Sequence, residues 1–254
     1  MNKSAVPHVS VLTPVYRNAD TLQELYQQIK HMMDRSNRTF ELIFVCDASP
    51  DESWAVIQKI AQNDPCVAGM CLHQNAGQQC ALLNGLFFAH AEAFITLDAD
   101  LQDPPGAIPS LLDGLAQGYG AVFAGRRGYY QNGFRMLTSR LYKNTLHLLC
   151  GVPKDAGLYI AFNQAARSAL LAYPPARTHL AAMLGCAGIK LKSIPVPRNL
   201  RPSGTSAYSN SMRLKAAWDG ISWVLKWKLS RSHPTSGFKP SPADFCGEPF
   251  DLTR

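Results

Sequence analysis

The 254-residue sequence predicts an α/β fold, with a mostly parallel central sheet and helices on both faces. Two observations lead to this prediction. Short apolar runs alternate along the chain with segments whose apolar residues recur at helical spacing, and polar residues directly follow several of the apolar runs. Hydrophobic residues make up 46% of the chain and charged residues 17%, which is ordinary for a globular protein.

The first half of the chain shows the alternation most clearly. We predict strands over 8–16, 40–47, 67–73, 93–98 and 120–125. We predict helices over 20–34, 51–62, 77–91 and after residue 103, with Asp51 and Asp103 as N-caps of the second and fourth. Parallel strands place their carboxyl ends at one edge of a sheet, where ligands bind. Tyr16, Asp47, Asp98 and Arg126 all fall at such ends.

The second half is less regular, with a helix over 134–150, a strand over 157–162, an extended basic segment over 189–201 and a helix over 211–231. Apolar residues recur at helical spacing in this last helix, at Leu214, Trp218, Ile221, Leu225 and Leu229, and Lys and Arg flank them. Two interpretations stay open for it: packing against the domain or a dimer partner, and lying on an anionic lipid surface. We expect residues 1–231 to form one domain and 232–254, rich in Pro, Ser and Gly, to be disordered.

Composition limits the class of partner and the compartment. Lys and Arg number 25 against 18 Asp and Glu, and this surplus suits an anionic partner such as a nucleotide or a phospholipid surface. The seven cysteines form no CxxC pair, which indicates free thiols in a reducing compartment and argues against zinc. The sequence carries no nucleic-acid recognition motif, no signal-peptide core and no long apolar run. We therefore expect a soluble or peripheral cytoplasmic protein.

The stretch "LDADLQDPP" (97–105) concentrates negative charge where an apolar strand ends. Asp98 and Asp100 are either solvated loop acids or, with Gln102, oxygen ligands of Mg²⁺ or Mn²⁺ bridging a diphosphate. Asp47 in "VCDASPDES" is either a turn residue or a carboxylate that faces a base or ribose.

Taken in order, "VSVLTPVYRNADTL", "VCDASPDES", "HQNAGQQCALLNGLFFA" and "LDADLQDPP" resemble the successive blocks of family 2 glycosyltransferases with the GT-A fold. "DADLQDPP" and "RNLRPSGTSAYS" (198–209) are most similar to the polyprenyl-phosphate glycosyltransferases, the dolichol-phosphate mannose synthases and bactoprenol glucosyltransferases. The resemblance covers about residues 8 to 225. It implies a nucleotide-sugar half over 8–126 and an acceptor half over 127–210. Members often carry C-terminal spanning helices, and we expect none in this sequence.

The resemblance also implies roles for individual residues. The donor's base and ribose would be bound by Pro14, Tyr16 and Asp47. The nucleotide sugar and the divalent metal would be bound by Asp98, Asp100 and Gln102. The diphosphate and the acceptor's phosphate would be bound by Arg126, Arg201 and Ser206. Asp155 is the candidate general base if the acceptor is a hydroxyl, and a turn residue otherwise.

These roles predict a metal-dependent, inverting transfer of a hexose from UDP- or GDP-hexose to polyprenyl phosphate. Transfer to a hydroxyl of a saccharide or small molecule is the alternative. A catalytically silent nucleotide-sugar-binding protein also stays open, because "YRNAD" and "DAGLYIAF" depart from the family's blocks. We further expect peripheral contact with the cytoplasmic face of the inner membrane, and a homodimer is compatible with the sequence.

Overall fold

The computed structural model of the chain describes residues 6–127, 133–173, 179–199, 210–230 and 250–253. Its strands are β1 (Val9–Val15), β2 (Phe40–Asp47), β3 (Val67–Leu72), β4 (Ala93–Thr96), β5 (Ala121–Arg127), β6 (Ile160–Asn163), β7 (Leu191–Pro197) and β8 (Phe250–Thr253). Its helices are α1 (Ala19–Arg35), α2 (Ser53–Asn63), α3 (Gln78–Phe88), α4 (Ile108–Ala116), α5 (Gly133–Cys150), α6 (Gln164–Leu171), α7 (Leu180–Cys186) and α8 (Asn210–Ser230). A 3₁₀ turn, Pro105–Ala107, precedes α4.

The described strands form one mixed sheet in the order β7-β5-β6-β4-β1-β2-β3-β8. β1 pairs in parallel with β2 and β4, and β2 pairs in parallel with β3. β6 runs antiparallel to both β4 and β5, while β7 is parallel to β5. The carboxyl ends of β1, β2, β4, β5 and β7 therefore share one edge of the sheet with the start of β6.

Helices cover both faces because successive side chains of a buried strand point to opposite sides. In β1, Val11 packs in the layer that includes α1, α2 and α4, and Leu12 packs in the layer that includes α3, α6 and α7. All seven residues of β1 are buried, as expected for a central strand. The predicted α/β class and the predicted strands and helices are confirmed, with element ends shifted by a few residues.

Three predictions at element ends are wrong. Helix α2 begins at Ser53 with Glu52, not Asp51, as its N-cap. The Asp51 carboxylate accepts the backbone N–H groups of Ser53 and Ala19 (both 3.2 Å), and these hydrogen bonds join α2 to α1. Asp103 caps no helix, because Pro104 precedes the 3₁₀ turn. Residues 250–253 form β8, an antiparallel partner of β3, rather than part of a disordered tail. Residues 231–249 lie outside the described ranges.

Helix α8 presents two apolar faces. Gly220 and Val224 are buried, and Trp223 and Trp227 stack on each other (ring centroids 5.9 Å apart) and pack against Tyr173. This face confirms that the helix packs against the domain. The predicted apolar face lies elsewhere on the helix and stays exposed at three positions, Trp218 (71%), Leu225 (43%) and Leu229 (81%).

Asp64 makes the stability of the fold depend on pH in the acid range. It lies between α2 and β3, accepts hydrogen bonds from Lys30 and Tyr26 (both 2.8 Å) and the Cys66 N–H (2.9 Å), and its side chain is nearly buried. Burial opposes ionisation, but these hydrogen bonds outweigh it and lower the pKa of Asp64 to about 2. A lowered carboxyl pKa stabilises the fold above the unfolded value of about 4 and loses that contribution as the pH falls through the folded value.

We therefore expect Asp64→Asn to lower the free energy of unfolding by about 1–2 kcal/mol at neutral pH, allowing for screening of the partly exposed Lys30. The difference from the wild type should shrink as the pH falls below about 4 and vanish only below about pH 2, where the wild-type carboxyl is also neutral. Urea unfolding across this range measures it. A difference that is constant with pH would contradict the assignment.

Candidate active site

The carboxyl edge of the sheet gathers most of the residues predicted for a site. Pro14 is buried near the end of β1, and Tyr16 follows that strand with its ring partly exposed. Asp47 ends β2, and Asp98 follows β4. Because β1 lies between β2 and β4, the topology brings these residues from distant parts of the sequence to neighbouring strand ends.

Asp47 organises the loop that leads into α3. Its carboxylate is 3% exposed and accepts the backbone N–H groups of Ala76 (2.7 Å) and Gly77 (2.9 Å), while its carbonyl accepts the Asn75 side-chain amide (3.1 Å). Gly77 has φ +89°, a conformation that favours glycine, and it is the N-cap of α3. Burial raises the pKa of Asp47 although both N–H donors oppose that effect. This carboxylate therefore has an architectural role, and its contact with a base or ribose stays a prediction.

The turn that follows β4 carries the two candidate metal-binding acids. The Asp98 carboxylate accepts the Gln78 amide at 2.5 Å, and the Asp100 carboxylate accepts the Gln102 N–H at 3.2 Å. Directly after Asp100 the chain passes through Leu101, a buried residue with φ +60°. A non-glycine residue keeps a left-handed backbone conformation only where surrounding contacts determine it.

Those surrounding contacts come from three other elements. Thr21 of α1 donates to the Ala99 carbonyl at 2.7 Å. Asn199, just after β7, donates its backbone N–H to the Gln102 carbonyl (2.9 Å) and its amide to the Leu101 carbonyl (3.3 Å). Tyr159, next to β6, donates to the Pro104 carbonyl at 3.1 Å. The turn is thus held in one conformation by residues that are distant from it in the sequence.

Among the described residues, Arg198 forms ion pairs with this turn. Its guanidinium binds Asp103 at two atoms, Nε to Oδ1 at 2.7 Å and Nη2 to Oδ2 at 3.3 Å, and Nη2 lies 4.0 Å from Asp98 Oδ2. Our sequence analysis overlooked Arg198, Asn199 and Gln78. Arg198 and Asn199 open the same basic stretch that contains Arg201, and only the fold, which places the ends of β7 and β4 at one edge of the sheet, distinguishes them from it.

Asp155 also lies at this edge. It precedes β6, and a Cβ added to Gly125 of β5 would overlap one of its carboxylate oxygens. The Asp155 side chain therefore lies directly against the end of β5, one residue before Arg126. The side chain of Arg126 and all of Arg201 and Ser206 lie outside what the structure describes, so their predicted contacts with phosphate stay predictions.

The donor set fits a divalent cation that shares its coordination with substrate. The structure brings Asp98, Asp100 and Gln102 onto one short turn. Among the described residues no group of three or more His, Cys, Asp or Glu side chains could enclose a metal. Mg²⁺ is commonly bound by one or two carboxylates, with water and substrate phosphates completing the shell. Two carboxylates and an amide oxygen meet that requirement, and water or substrate phosphates would complete the shell.

Helices α5 and α8 pack together, and their exposed apolar side chains are named here the apolar surface of α5 and α8. Leu148 of α5 is 85% exposed, Leu141 is also exposed, and on α8 the exposed apolar residues are accompanied by exposed Lys226 and Lys228. In the part of the chain that the structure describes, no helix has both the length and the apolar composition needed to cross a bilayer.

Comparison with known proteins identifies the kind of chain that carries this site. The family model described as "Glycosyl transferase family 2" matches residues 10–171. The undecaprenyl-phosphate 4-deoxy-4-formamido-L-arabinose transferase of Pseudomonas aeruginosa is 34% identical over 224 residues, which cover 87% of this chain and 66% of the relative. The enzyme of that name from Edwardsiella ictaluri is 30% identical over 88% of this chain and 70% of its own length. The chain thus spans about two thirds of the length of these curated relatives.

Solved structures support the fold. Glucosyl-3-phosphoglycerate synthase from Mycobacterium tuberculosis, in complex with Mn²⁺, UDP and glucosyl-3-phosphoglycerate, matches with a TM-score of 0.63 and 17% identity, over 89% of this chain and 81% of that one. A mannosyltransferase from Pyrobaculum calidifontis, in complex with GDP-mannose and Mn²⁺, matches with a TM-score of 0.62 and 20% identity, over 95% and 68% of the two chains. At these identities the likeness establishes the GT-A fold.

Proposed function

This chain belongs to glycosyl transferase family 2 and is a glycosyltransferase, and we propose that it moves a hexose from a nucleoside diphosphate sugar to the phosphate of a polyprenyl phosphate. One observation carries the proposal: the Asp98–Gln102 turn is held at the carboxyl edge of the sheet in a chain related to transferases named for undecaprenyl phosphate. We also propose that the transfer requires a divalent metal ion.

The chemistry of the leaving group explains the acids and cations at this edge. Cleaving the bond between sugar C1 and the diphosphate leaves negative charge on the phosphate oxygens. Mg²⁺ or Mn²⁺ held by Asp98, Asp100 and Gln102 would supply electrostatic stabilisation of that charge. Arg126 and Arg201, with Ser206, would bind the remaining phosphate oxygens. Tyr16, Pro14 and Asp47 would bind the base and ribose.

The acceptor determines whether a general base is needed. A lipid phosphate is already anionic and attacks C1 directly, so no residue has to remove a proton. A hydroxyl acceptor requires one, and Asp155 is the carboxylate placed at the correct edge for that task. In either case we propose a single displacement, which inverts the configuration at C1.

The proposal is tested by supplying UDP-glucose or GDP-mannose with Mn²⁺ and undecaprenyl phosphate and following the labelled sugar. We expect the label to enter the organic-extractable fraction, and chelation to prevent this. Label in a water-soluble saccharide alone would favour the hydroxyl acceptor and a role for Asp155. Retained configuration at C1 would contradict the single displacement.

The exposed apolar surface of α5 and α8 supports peripheral contact with a membrane. Trp and Leu side chains beside lysines are the composition that binds at an anionic lipid interface. A lipid-linked acceptor stays in the bilayer, so the enzyme must reach it there. We propose that this surface lies on the membrane.

Vesicle flotation measures this contact. Lys226→Glu and Lys228→Glu together should weaken binding to phosphatidylglycerol vesicles by well over tenfold, since each basic residue near an anionic surface contributes about 1 kcal/mol. Trp218→Ser should weaken it further, whereas Val6→Ser removes an exposed apolar side chain elsewhere and should have little effect. Equal flotation of all these variants would contradict the proposed surface.

A further inference from the structure

Arg198 lies beside two acids of the turn after β4, Asp98 and Asp103, and binds one of them more closely than the other. Arg198 binds Asp103 at both carboxylate oxygens, with distances of 2.7 and 3.3 Å, but stays 4.0 Å from the nearest oxygen of Asp98. The side chains of Asp103 and Arg198 are 3% and 14% exposed, and that of Asp98 is 17% exposed. Among the described residues the guanidinium therefore has two anionic neighbours and makes its hydrogen bonds to the more deeply buried one.

This inequality matters because Asp98 is a candidate metal ligand. A guanidinium and a divalent cation compete for the same carboxylate oxygens, and an arginine that paired closely with Asp98 would oppose metal binding. The rigid fork of Arg198 is oriented by its two hydrogen bonds to Asp103. Asn199, the next residue, is bound to the Leu101 and Gln102 carbonyls, so the backbone that carries Arg198 is also fastened to the turn.

We propose that Asp103 is a positioning residue that holds Arg198 beside Asp98 and thereby prevents the arginine from replacing the divalent cation. Asp103 touches neither donor nor metal in this arrangement and acts through Arg198. The inference rests on the proposed metal-dependent function and adds to it the residue pair that sets the metal affinity.

The proposal predicts that a loss caused by one substitution is reversed by a second. In Asp103→Asn the anion that holds Arg198 is gone, and the guanidinium should move to Asp98 and compete with the metal. The variant should fold, because Arg198 keeps Asp98 as an anionic neighbour and no buried charge is left unpaired. Adding Arg198→Gln removes the competitor, so the double variant should recover most of the lost metal affinity.

The experiment measures Mn²⁺ affinity directly, from the electron paramagnetic resonance signal of free Mn²⁺ in the presence of UDP. We expect Asp103→Asn to bind Mn²⁺ about 10-fold or more weakly, the lower end of the range typical of residues that orient metal ligands. Thermal unfolding without metal identifies any variant that has lost its fold. Asp64→Asn is the matched control, because it breaks a buried carboxylate pair at the opposite edge of the sheet and should leave Mn²⁺ affinity unchanged.

The outcomes separate this inference from the proposed function. Unchanged Mn²⁺ affinity in Asp103→Asn, or a folded double variant that binds as weakly as the single one, would overturn the inference alone, provided that the wild type binds Mn²⁺ and Asp100→Asn does not. A wild type that binds no Mn²⁺ with UDP would overturn the proposed metal-dependent function and the inference with it. Recovery of affinity in the double variant would support both.

Discussion

Replacing Asp100 with asparagine should abolish sugar transfer and metal-dependent nucleotide binding while leaving the fold intact. The substitution keeps the size of the side chain and an oxygen that can accept the Gln102 N–H, but it removes a charge from the candidate metal site. Two unit charges 4 Å apart at an effective dielectric of 20 interact by about 4 kcal/mol, which corresponds to roughly a thousandfold in rate or affinity. We expect losses of that order in kcat/KM and in the affinity for Mn²⁺ with UDP.

Titration calorimetry of UDP with and without Mn²⁺, together with the transfer assay, measures both losses. Asp113→Asn is the matched control, because it removes the same charge from the exposed face of α4. That variant should bind and transfer like the wild type. If Asp100→Asn kept normal Mn²⁺ affinity, the acids of this turn would be ordinary loop acids, and the proposed metal dependence would be wrong.

Replacing Asp47 with alanine should damage both the fold and donor binding. The change leaves the Ala76 and Gly77 N–H groups without their carboxylate acceptor at a buried position. These two hydrogen bonds are only partly buried, and a donor that water can reach loses less than the roughly 1–3 kcal/mol typical of a buried one. We therefore expect the free energy of unfolding to fall by about 1–3 kcal/mol in total. The loop before α3 should then lose its fixed conformation, and α3 carries Gln78, which contacts Asp98.

Urea unfolding and UDP binding, measured on the same preparations, separate the two roles considered for Asp47. Asp34→Ala removes an exposed carboxylate from α1 and should change neither quantity appreciably. Weaker UDP binding with unchanged stability would show that Asp47 is a ligand contact rather than the anchor of the loop. A loss of stability with unchanged binding would show the reverse.

Errors in the sequence-based predictions share one physical cause. Asp51 and Asp103 both precede predicted helices, and capping is the strongest local expectation for an acid in that position. In the structure, Asp51 accepts an N–H from α1, and Asp103 pairs with Arg198, which is 95 residues further along the chain. Each acid uses a partner that lies close only after folding. The antiparallel strand β8 was overlooked because its few residues pair with β3 across most of the sequence.

The sequence by itself determined the α/β class, the alternation of buried strands with helices, and the position of Asp98 and Asp100 after a strand, since periodicity and turn chemistry are local properties. Its ordered blocks also indicate the family. Only the tertiary structure decided which residues surround those acids. Strand order places the ends of β7 and β4 at one edge, so Arg198 and Asn199 meet the turn at residues 98–103. Long-range pairing decides these contacts, and no local pattern encodes it.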